Sequence, residues 1–203
     1  MKNIKISEIF PSIAGEGRFV GKPVLFIRFS GCTRKCDFCD SKYHEEGEEV
    51  TIIYLKNEIQ KYKGDTVCFT GGEPLKYIAV IKELYYEFRF EKGFQLETNA
   101  DLLEDWMFDY FDYICASPKD KKVAKKVAML GCDNFELDIK VVTDLKIVGL
   151  DMLKYATMIM PLTTDDEVES KQIAQDVWKY CVDKNIAFCP RVHYYVWGKK
   201  RGV

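Results

Sequence analysis

Apolar, β-rich runs alternate with amphipathic helical patterns along almost the whole chain, and this alternation restricts the fold more than any other feature. The runs are nearly continuous rather than alternating in polarity, as expected for strands that are buried on both faces. Strands that alternate with helices predict right-handed βαβ units and a mainly parallel sheet. The predicted strands are Ile4–Phe10, Val24–Phe29, Thr66–Phe69, Phe94–Glu97, Tyr113–Ala116, Phe135–Val142, Thr157–Met160 and Ile186–Tyr195. The predicted helices are Thr51–Lys63, Leu75–Glu91, Leu102–Phe111, Lys119–Leu130 and Asp165–Lys184.

The chain length limits how many such units can form. A closed barrel of eight units takes about 250 residues, whereas this chain has 203 residues, which leaves room for roughly six units. Because no internal repeat or linker interrupts the pattern, we predict a single domain over residues 1–203. An incomplete barrel and an open α/β sheet both satisfy the length. In either architecture, chemistry belongs at the carboxyl ends of the parallel strands.

Charge and hydropathy argue against two classes of partner. The chain has 30 Lys and Arg against 32 Asp and Glu, for a net charge of −2, so no electrostatic field for nucleic acid is expected. No apolar run approaches the length of about 20 residues that a membrane span requires. The stretch Met1–Phe10 is interrupted by charges and lacks the apolar region of a secretory signal. We therefore predict a cytoplasmic protein with reduced thiols and no membrane partner.

Three of the eight cysteines, Cys32, Cys36 and Cys39, lie within eight residues, directly after the second predicted strand. This spacing lets three sulfurs turn toward one point, and soft thiolates at such density select zinc or an iron–sulfur cluster. Zinc is an alternative because His44 follows closely, and three cysteines with one histidine form a closed structural site. A 4Fe–4S cluster on three thiolates would instead leave one iron open to a small molecule.

The residues around these cysteines fall into two further groups. Arg34 and Lys35 lie within the cysteine loop and would offset the negative charge of three thiolates. The remaining cysteines lie in apolar contexts, where cysteine behaves as a small core residue. They are Cys68, Cys115, Cys132, Cys181 and Cys189.

Polar residues follow several of the other predicted strands. Thr70-Gly71-Gly72-Glu73-Pro74 comes after the third strand, and its glycines would let the backbone approach a ligand closely while Pro74 starts a helix. An ordinary strand-to-helix turn has the same features. The segments Glu97-Thr98-Asn99, Ser117-Pro118-Lys119 and Met160-Pro161-Leu162-Thr163 occupy corresponding positions after later strands.

The cysteine loop resembles the signature of the radical S-adenosylmethionine (radical SAM) enzymes, and Gly71-Gly72-Glu73-Pro74 resembles their element that contacts the methionine part of the cofactor. Two further stretches, Ser12–Gly17 and Pro190–Val203, are similar to the 7-carboxy-7-deazaguanine synthases of that superfamily. The resemblance extends from Ile4 to Val203.

The resemblance implies an incomplete (βα)6-type partial TIM barrel, an α/β fold with mainly parallel strands. It also implies a 4Fe–4S cluster held by Cys32, Cys36 and Cys39, and S-adenosylmethionine bound to it. The implied cofactor-binding residues are Phe38, Cys39, Asp40, Gly72, Glu73, Glu97, Ser117, Pro118, Lys119, Met160, Pro161, Leu162 and Thr163.

The substrate implied by the resemblance is 6-carboxy-5,6,7,8-tetrahydropterin, whose ring contracts with loss of ammonia, with Mg²⁺ held beside it by Ser41. Ala14 stands where the family often has Gln, and Ser41 stands where it usually has Thr. Three of the implied substrate contacts have another interpretation: Arg28 would form an ordinary ion pair, His193 would be a packed histidine in a strand, and the terminus at Val203 would be unordered. The implied substrate-binding residues are Ile13, Ala14, Gly15, Glu16, Arg28, Thr70, His193 and the α-carboxylate of Val203.

The same resemblance implies a homodimer that receives electrons from a reductant such as flavodoxin or ferredoxin. Two other functions stay open at this point. One is a radical SAM activase that installs a glycyl radical on a partner protein. The other is a non-catalytic, zinc-binding interaction module.

Overall fold

The computed structural model describes residues 3–37, 39, 42–131 and 136–203. In these residues nine strands form one sheet with the order β3-β1-β2-β4-β5-β6-β7-β8-β9. Neighbours from β2 to β9 are parallel, whereas β1 runs antiparallel to both β2 and β3. The strands are β1 (Ile4–Ile13), β2 (Pro23–Phe29), β3 (Glu48–Val50), β4 (Thr66–Gly71), β5 (Gly93–Thr98), β6 (Tyr113–Ala116), β7 (Leu137–Thr143), β8 (Met158–Pro161) and β9 (Ala187–Phe188).

Helices lie between these strands. Three α-helices begin at residues whose side chains accept hydrogen bonds from otherwise unpaired backbone N–H groups: Thr51, Asp120 and Asp166. The α-helices are α1 (Ile52–Lys61), α2 (Ile78–Phe88), α3 (Lys121–Leu130), α4 (Glu167–Lys184) and α5 (Val192–Trp197). Short 3-10 helices cover Lys42–Glu45, Pro74–Tyr77, Asp105–Tyr110 and Leu150–Tyr155.

The two faces of the sheet differ in polarity, because successive side chains of a strand point to opposite sides. One face packs in the main apolar core, where Ile27, Phe69, Leu96, Ile114 and Ile159 are fully buried. The other, which we call the inner face, carries polar groups. Strand register places on it Arg28, Thr70, Glu97, Cys115, Asp138 and Lys140.

The predicted fold class, a partial barrel with mainly parallel strands, is confirmed. Six parallel strands, β2 and β4 to β8, form the body of the sheet, and the described residues show no pairing between the end strands β3 and β9. The two ends instead meet through the turn between β1 and β2. In that turn Gly17 N donates to Cys189 Sγ at 3.1 Å, and Gly15 O accepts from Val192 N at 2.9 Å.

Two sequence predictions of secondary structure were wrong. The strand predicted over Ile186–Tyr195 ends at Phe188, because Pro190 has no N–H group for a strand ladder and the chain then forms α5. The helix predicted over Leu102–Phe111 is only a 3-10 helix, Asp105–Tyr110. Among the described residues no helix is both long and apolar enough to cross a membrane.

Candidate functional site

The motifs singled out in the sequence meet at one edge of the sheet, where the parallel strands end. The cysteine loop follows β2, Gly72 and Glu73 follow β4, and Asn99 follows β5. Ser117, Pro118 and Lys119 follow β6, while Met160 and Pro161 end β8 and Leu162 and Thr163 continue from it. This arrangement gives the edge a continuous set of loops from β2 to β8.

The turn after β4 packs directly on the start of the cysteine loop. Gly72 N donates to Phe29 O at 3.0 Å, and Glu73 N donates to Gly31 O at 2.9 Å. A Cβ on Gly72 would lie only 2.2 Å from Gly31 O, and Gly71 has a φ of 129° that favours glycine. Both glycines are therefore required because two backbones approach each other closely here.

Glu73 ties the ends of two strands together from a fully buried position. Its Oε1 accepts from Leu75 N at 3.0 Å and from Thr98 Oγ1 at 2.7 Å, while its Oε2 accepts from Asn99 N at 2.9 Å. Burial raises the pKa of this carboxyl to about 7, although the three hydrogen bonds act in the opposite direction. Both carboxylate oxygens of Glu73 therefore accept hydrogen bonds from the protein itself. The cofactor contact that the resemblance implies for Glu73 stays a prediction.

Arg34 anchors the cysteine loop to the neighbouring loops. Its guanidinium contacts both carboxylate oxygens of Asp101, with Nε 2.8 Å from Oδ2 and Nη2 2.5 Å from Oδ1. Its Nη2 also lies 2.5 Å from Asp120 Oδ2, at the start of α3. Paired charge-assisted hydrogen bonds of this kind fix orientation as well as position. This anchor could not be predicted from the sequence, because the two partners of Arg34 lie 67 and 86 residues away.

A second contact joins the same loops. Asn99 Nδ2 donates to Thr33 Oγ1 at 2.9 Å and lies 3.5 Å from Cys32 Sγ. Thr33 in turn donates to Asp101 Oδ2 at 2.8 Å. The first half of the cysteine loop is therefore held by groups that are not themselves metal ligands.

The three loop thiols have the chemistry that an iron–sulfur cluster requires. Cys32, Cys36 and Cys39 are half-buried and unpaired by disulfides. Burial raises the pKa of Cys36, and charge on Cys39 and Cys32 raises it further, whereas Lys119 lowers it. The thiols therefore lie near one another and near a cation. The described side chains include no set of three metal-binding groups already arranged around one position, so the cluster ligands stay a prediction.

The substrate-binding residues implied by the sequence lie mainly on and around the inner face. Arg28 and Thr70 are neighbours in register on β2 and β4. Arg28 Nε lies 2.9 Å from Glu8 Oε2, and Arg201 Nε lies 3.1 Å from Glu8 Oε1. The ion pair that is the alternative for Arg28 is thus present, and it adds Glu8 and Arg201 as candidate residues that the sequence did not indicate.

The turn after β1 brings further predicted residues against the C-terminal segment. Ile13 ends β1, Ala14 is buried, and a Cβ on Gly15 would lie 2.3 Å from His193 Nδ1. His193 lies in α5, so the packed strand histidine considered from the sequence is wrong. The structure therefore brings Gly15 and His193 together, and Val203 lies partly buried at the end of the same segment.

A cavity of about 290 Å³ lies beside the carboxyl ends of β6 and β7. Pro118 and Lys119, two of the implied cofactor-binding residues, line one side of it, and Gly149 and Asp151 line another. Phe38, Asp40 and Ser41, as well as Cys132, lie outside the described residues. Their roles stay predictions.

Comparisons with known proteins agree with this architecture. A sequence model of the radical SAM superfamily matches residues 26–170. Curated proteins named 7-carboxy-7-deazaguanine synthase are similar to the chain. That of Bacteroides thetaiotaomicron is 42% identical over 117 residues, 57% of this chain and 60% of the relative. That of Aquifex aeolicus is 33% identical over 147 residues, 70% and 65% of the two chains.

These two alignments span less than two thirds of the relatives' lengths. The alignment with the 7-carboxy-7-deazaguanine synthase of Bacillus cereus is 28% identical and covers 100% of both chains. The crystal structure of QueE from Escherichia coli has a TM-score of 0.60 at 17% identity, and covers 94% of this chain and 95% of its own. This likeness shows a shared fold.

Proposed function

We propose that this chain, which belongs to the radical SAM superfamily, converts 6-carboxy-5,6,7,8-tetrahydropterin into 7-carboxy-7-deazaguanine with loss of ammonia. The observation that carries the proposal is the alignment with the Bacillus cereus synthase over the full length of both chains. The loops at the carboxyl edge and the charged inner face support it, because they would supply a cofactor side and a substrate side next to each other. The reaction would belong to the synthesis of 7-deazapurines such as queuosine or archaeosine.

Membership of the superfamily implies a 4Fe–4S cluster and S-adenosylmethionine. When bound to Cys32, Cys36 and Cys39, the reduced cluster with S-adenosylmethionine would supply the radical chemistry. The chain's own contribution is to orient that site. The turn at Gly72 holds the start of the cysteine loop, and Lys119 places positive charge near Cys36.

The inner face would orient the substrate and shield it from water. A planar guanidinium suits the substrate carboxylate, so Arg28 would bind it, with its ion pair to Glu8 keeping the guanidinium in position. Thr70 lies beside Arg28 in register. Ser41 would contribute its hydroxyl to Mg²⁺ next to the substrate, as hard cations prefer oxygen ligands. The α-carboxylate of Val203 is a further proposed contact.

We also propose that the protein is a homodimer in the cytoplasm and that flavodoxin or ferredoxin supplies its electron. A glycyl-radical activase and a zinc-binding interaction module are the competing functions. The zinc module would need no iron, and the activase would need a partner protein rather than a pterin.

The test is anaerobic incubation of the reconstituted protein with dithionite, S-adenosylmethionine, Mg²⁺ and the carboxy-tetrahydropterin. We expect 7-carboxy-7-deazaguanine in the wild-type reaction and none with Cys36→Ala, which should also lose the brown colour of the cluster. Formation of 5′-deoxyadenosine without the deazaguanine would contradict the substrate assignment. A colourless Cys36→Ala variant with full activity, or zinc in place of iron and sulfide, would contradict the radical chemistry.

A further inference from the structure

Lys140 is a buried cation on the inner face, and no motif in the sequence included it. Its side chain is 4% exposed. Its Nζ lies 2.6 Å from Glu16 Oε2 and 2.8 Å from Glu97 Oε2. Glu16 belongs to the turn after β1, and Glu97 belongs to β5. One ammonium group therefore joins two carboxylates from parts of the chain that are far apart in sequence.

Other charged groups complete this cluster. Glu16 Oε1 accepts from Arg191 Nε at 3.1 Å and lies 3.8 Å from His193 Nε2. Burial alone would raise the pKa of Glu16, but Lys140, Arg191 and His193 hold it well below its usual range. Burial raises the pKa of Glu97, which Lys140 opposes. Lys140 therefore favours the ionised form of both carboxylates.

The three side chains differ in their access to solvent. Glu16 and Glu97 are 19% and 24% exposed, whereas Lys140 is almost fully enclosed. Both carboxylates are therefore partly accessible, and Lys140 is enclosed between them. Because a buried charge is stable only when it is paired, the ammonium keeps both carboxylates directed toward itself.

We infer that Lys140 is a positioning residue, which fixes Glu16 and Glu97 on one wall of the substrate site and acts on the substrate through them. Glu97, which the resemblance implies as a cofactor-binding residue, is thereby assigned to the substrate side, because it shares Lys140 Nζ with Glu16. The inference rests on the proposed function, because it concerns the pterin site. Without Lys140 the two carboxylates would repel each other, and one would move away or take up a proton. Movement of Glu16 would shift the turn that carries Ile13, Ala14 and Gly15.

Lys140→Met tests this inference in the reconstituted enzyme. We expect the KM for the carboxy-tetrahydropterin to rise about tenfold to a hundredfold, as misplaced binding groups typically cause, while the KM for S-adenosylmethionine changes less than about twofold. Binding of 6-carboxypterin, followed by its fluorescence, should weaken by a similar factor. Lys140→Arg should restore part of the loss, because it keeps the charge.

Lys92→Met is a matched control, because Lys92 Nζ also makes two hydrogen bonds, to Tyr62 O at 2.8 Å and Gly64 O at 2.6 Å. It should leave both KM values unchanged. An unchanged pterin KM in Lys140→Met, or an equal loss of pterin and S-adenosylmethionine binding, would overturn the inference. If Lys140→Met does not fold, Lys140→Gln gives the same comparison with a neutral donor. A wild-type enzyme that forms no 7-carboxy-7-deazaguanine from the carboxy-tetrahydropterin would overturn both the proposed function and this inference.

Discussion

Replacing Gly72 with alanine tests whether the turn after β4 holds the cysteine loop in place. The added Cβ would lie 2.2 Å from Gly31 O and 2.9 Å from Cys32 N. Both are backbone atoms, so neither can rotate away, and ordinary contact begins at 3.4 Å. The loop would therefore have to move by about 1 Å to relieve the overlap.

The cost of this movement has two parts. Overpacking a well-packed position typically costs about 1–3 kcal/mol. The displacement would also stretch the bond from Glu73 N to Gly31 O, now 2.9 Å long, and such a bond contributes about 0.5–1.5 kcal/mol. We expect Gly72→Ala to lower the free energy of unfolding of the cluster-free protein by about 2–4 kcal/mol and to reduce the iron bound on reconstitution.

Urea unfolding measures the first effect, and iron and sulfide analysis measures the second. Gly93→Ala is the matched control, because the nearest atom to its added Cβ is 3.5 Å away. It should change the free energy of unfolding by less than about 1 kcal/mol and leave iron loading intact. Wild-type stability and full iron in Gly72→Ala would refute the idea that the turn positions the loop.

Two further variants probe the same region. Arg34→Gln should lower the free energy of unfolding by about 2 kcal/mol and reduce iron loading, since it removes the paired contacts with Asp101. If urea unfolding and iron analysis give wild-type values, Arg34 does not anchor the cysteine loop. Glu73 has a folded pKa of about 7, above its ordinary value of 4.5, so its stabilising contribution is complete below pH 4.5 and is lost as the pH rises through 7. In the wild-type protein the free energy of unfolding should therefore fall by about 3 kcal/mol between pH 4.5 and pH 7 because of Glu73, and this fall should be absent in Glu73→Gln. If urea unfolding gives parallel pH curves for the wild type and the variant, the prediction is contradicted.

The gathering of the motifs at one edge could be predicted from sequence, because the carboxyl ends of parallel strands must meet. The alternating runs indicated the strand direction, and the cysteine loop and Gly72 each follow a strand directly. The chain length allowed an incomplete barrel or an open sheet, and the resemblance to the radical SAM enzymes implied the partial barrel. These parts of the site could be predicted because they depend only on which segments follow one another along the chain.

The remaining features depend on contacts between distant residues. Lys140 shares a mainly apolar strand with Asp138, two residues before it, and its partner Glu16 lies 124 residues away. Glu73 follows two glycines, and its hydrogen bonds to Thr98 and Asn99 at the end of the next strand were not indicated by the sequence. The helix α5 replaced the predicted strand because Pro190 interrupts pairing and the segment packs against the turn at Gly15.

The most direct test of the proposed function uses the carboxy-tetrahydropterin labelled with deuterium at C6, because the resemblance implies that a 5′-deoxyadenosyl radical removes the hydrogen from that carbon. The reconstituted protein is incubated anaerobically with dithionite, S-adenosylmethionine and Mg²⁺, and the products are analysed by mass spectrometry. We predict 7-carboxy-7-deazaguanine together with 5′-deoxyadenosine that carries one deuterium. Unlabelled 5′-deoxyadenosine without the deazaguanine would contradict the proposal, because the hydrogen would then come from another molecule.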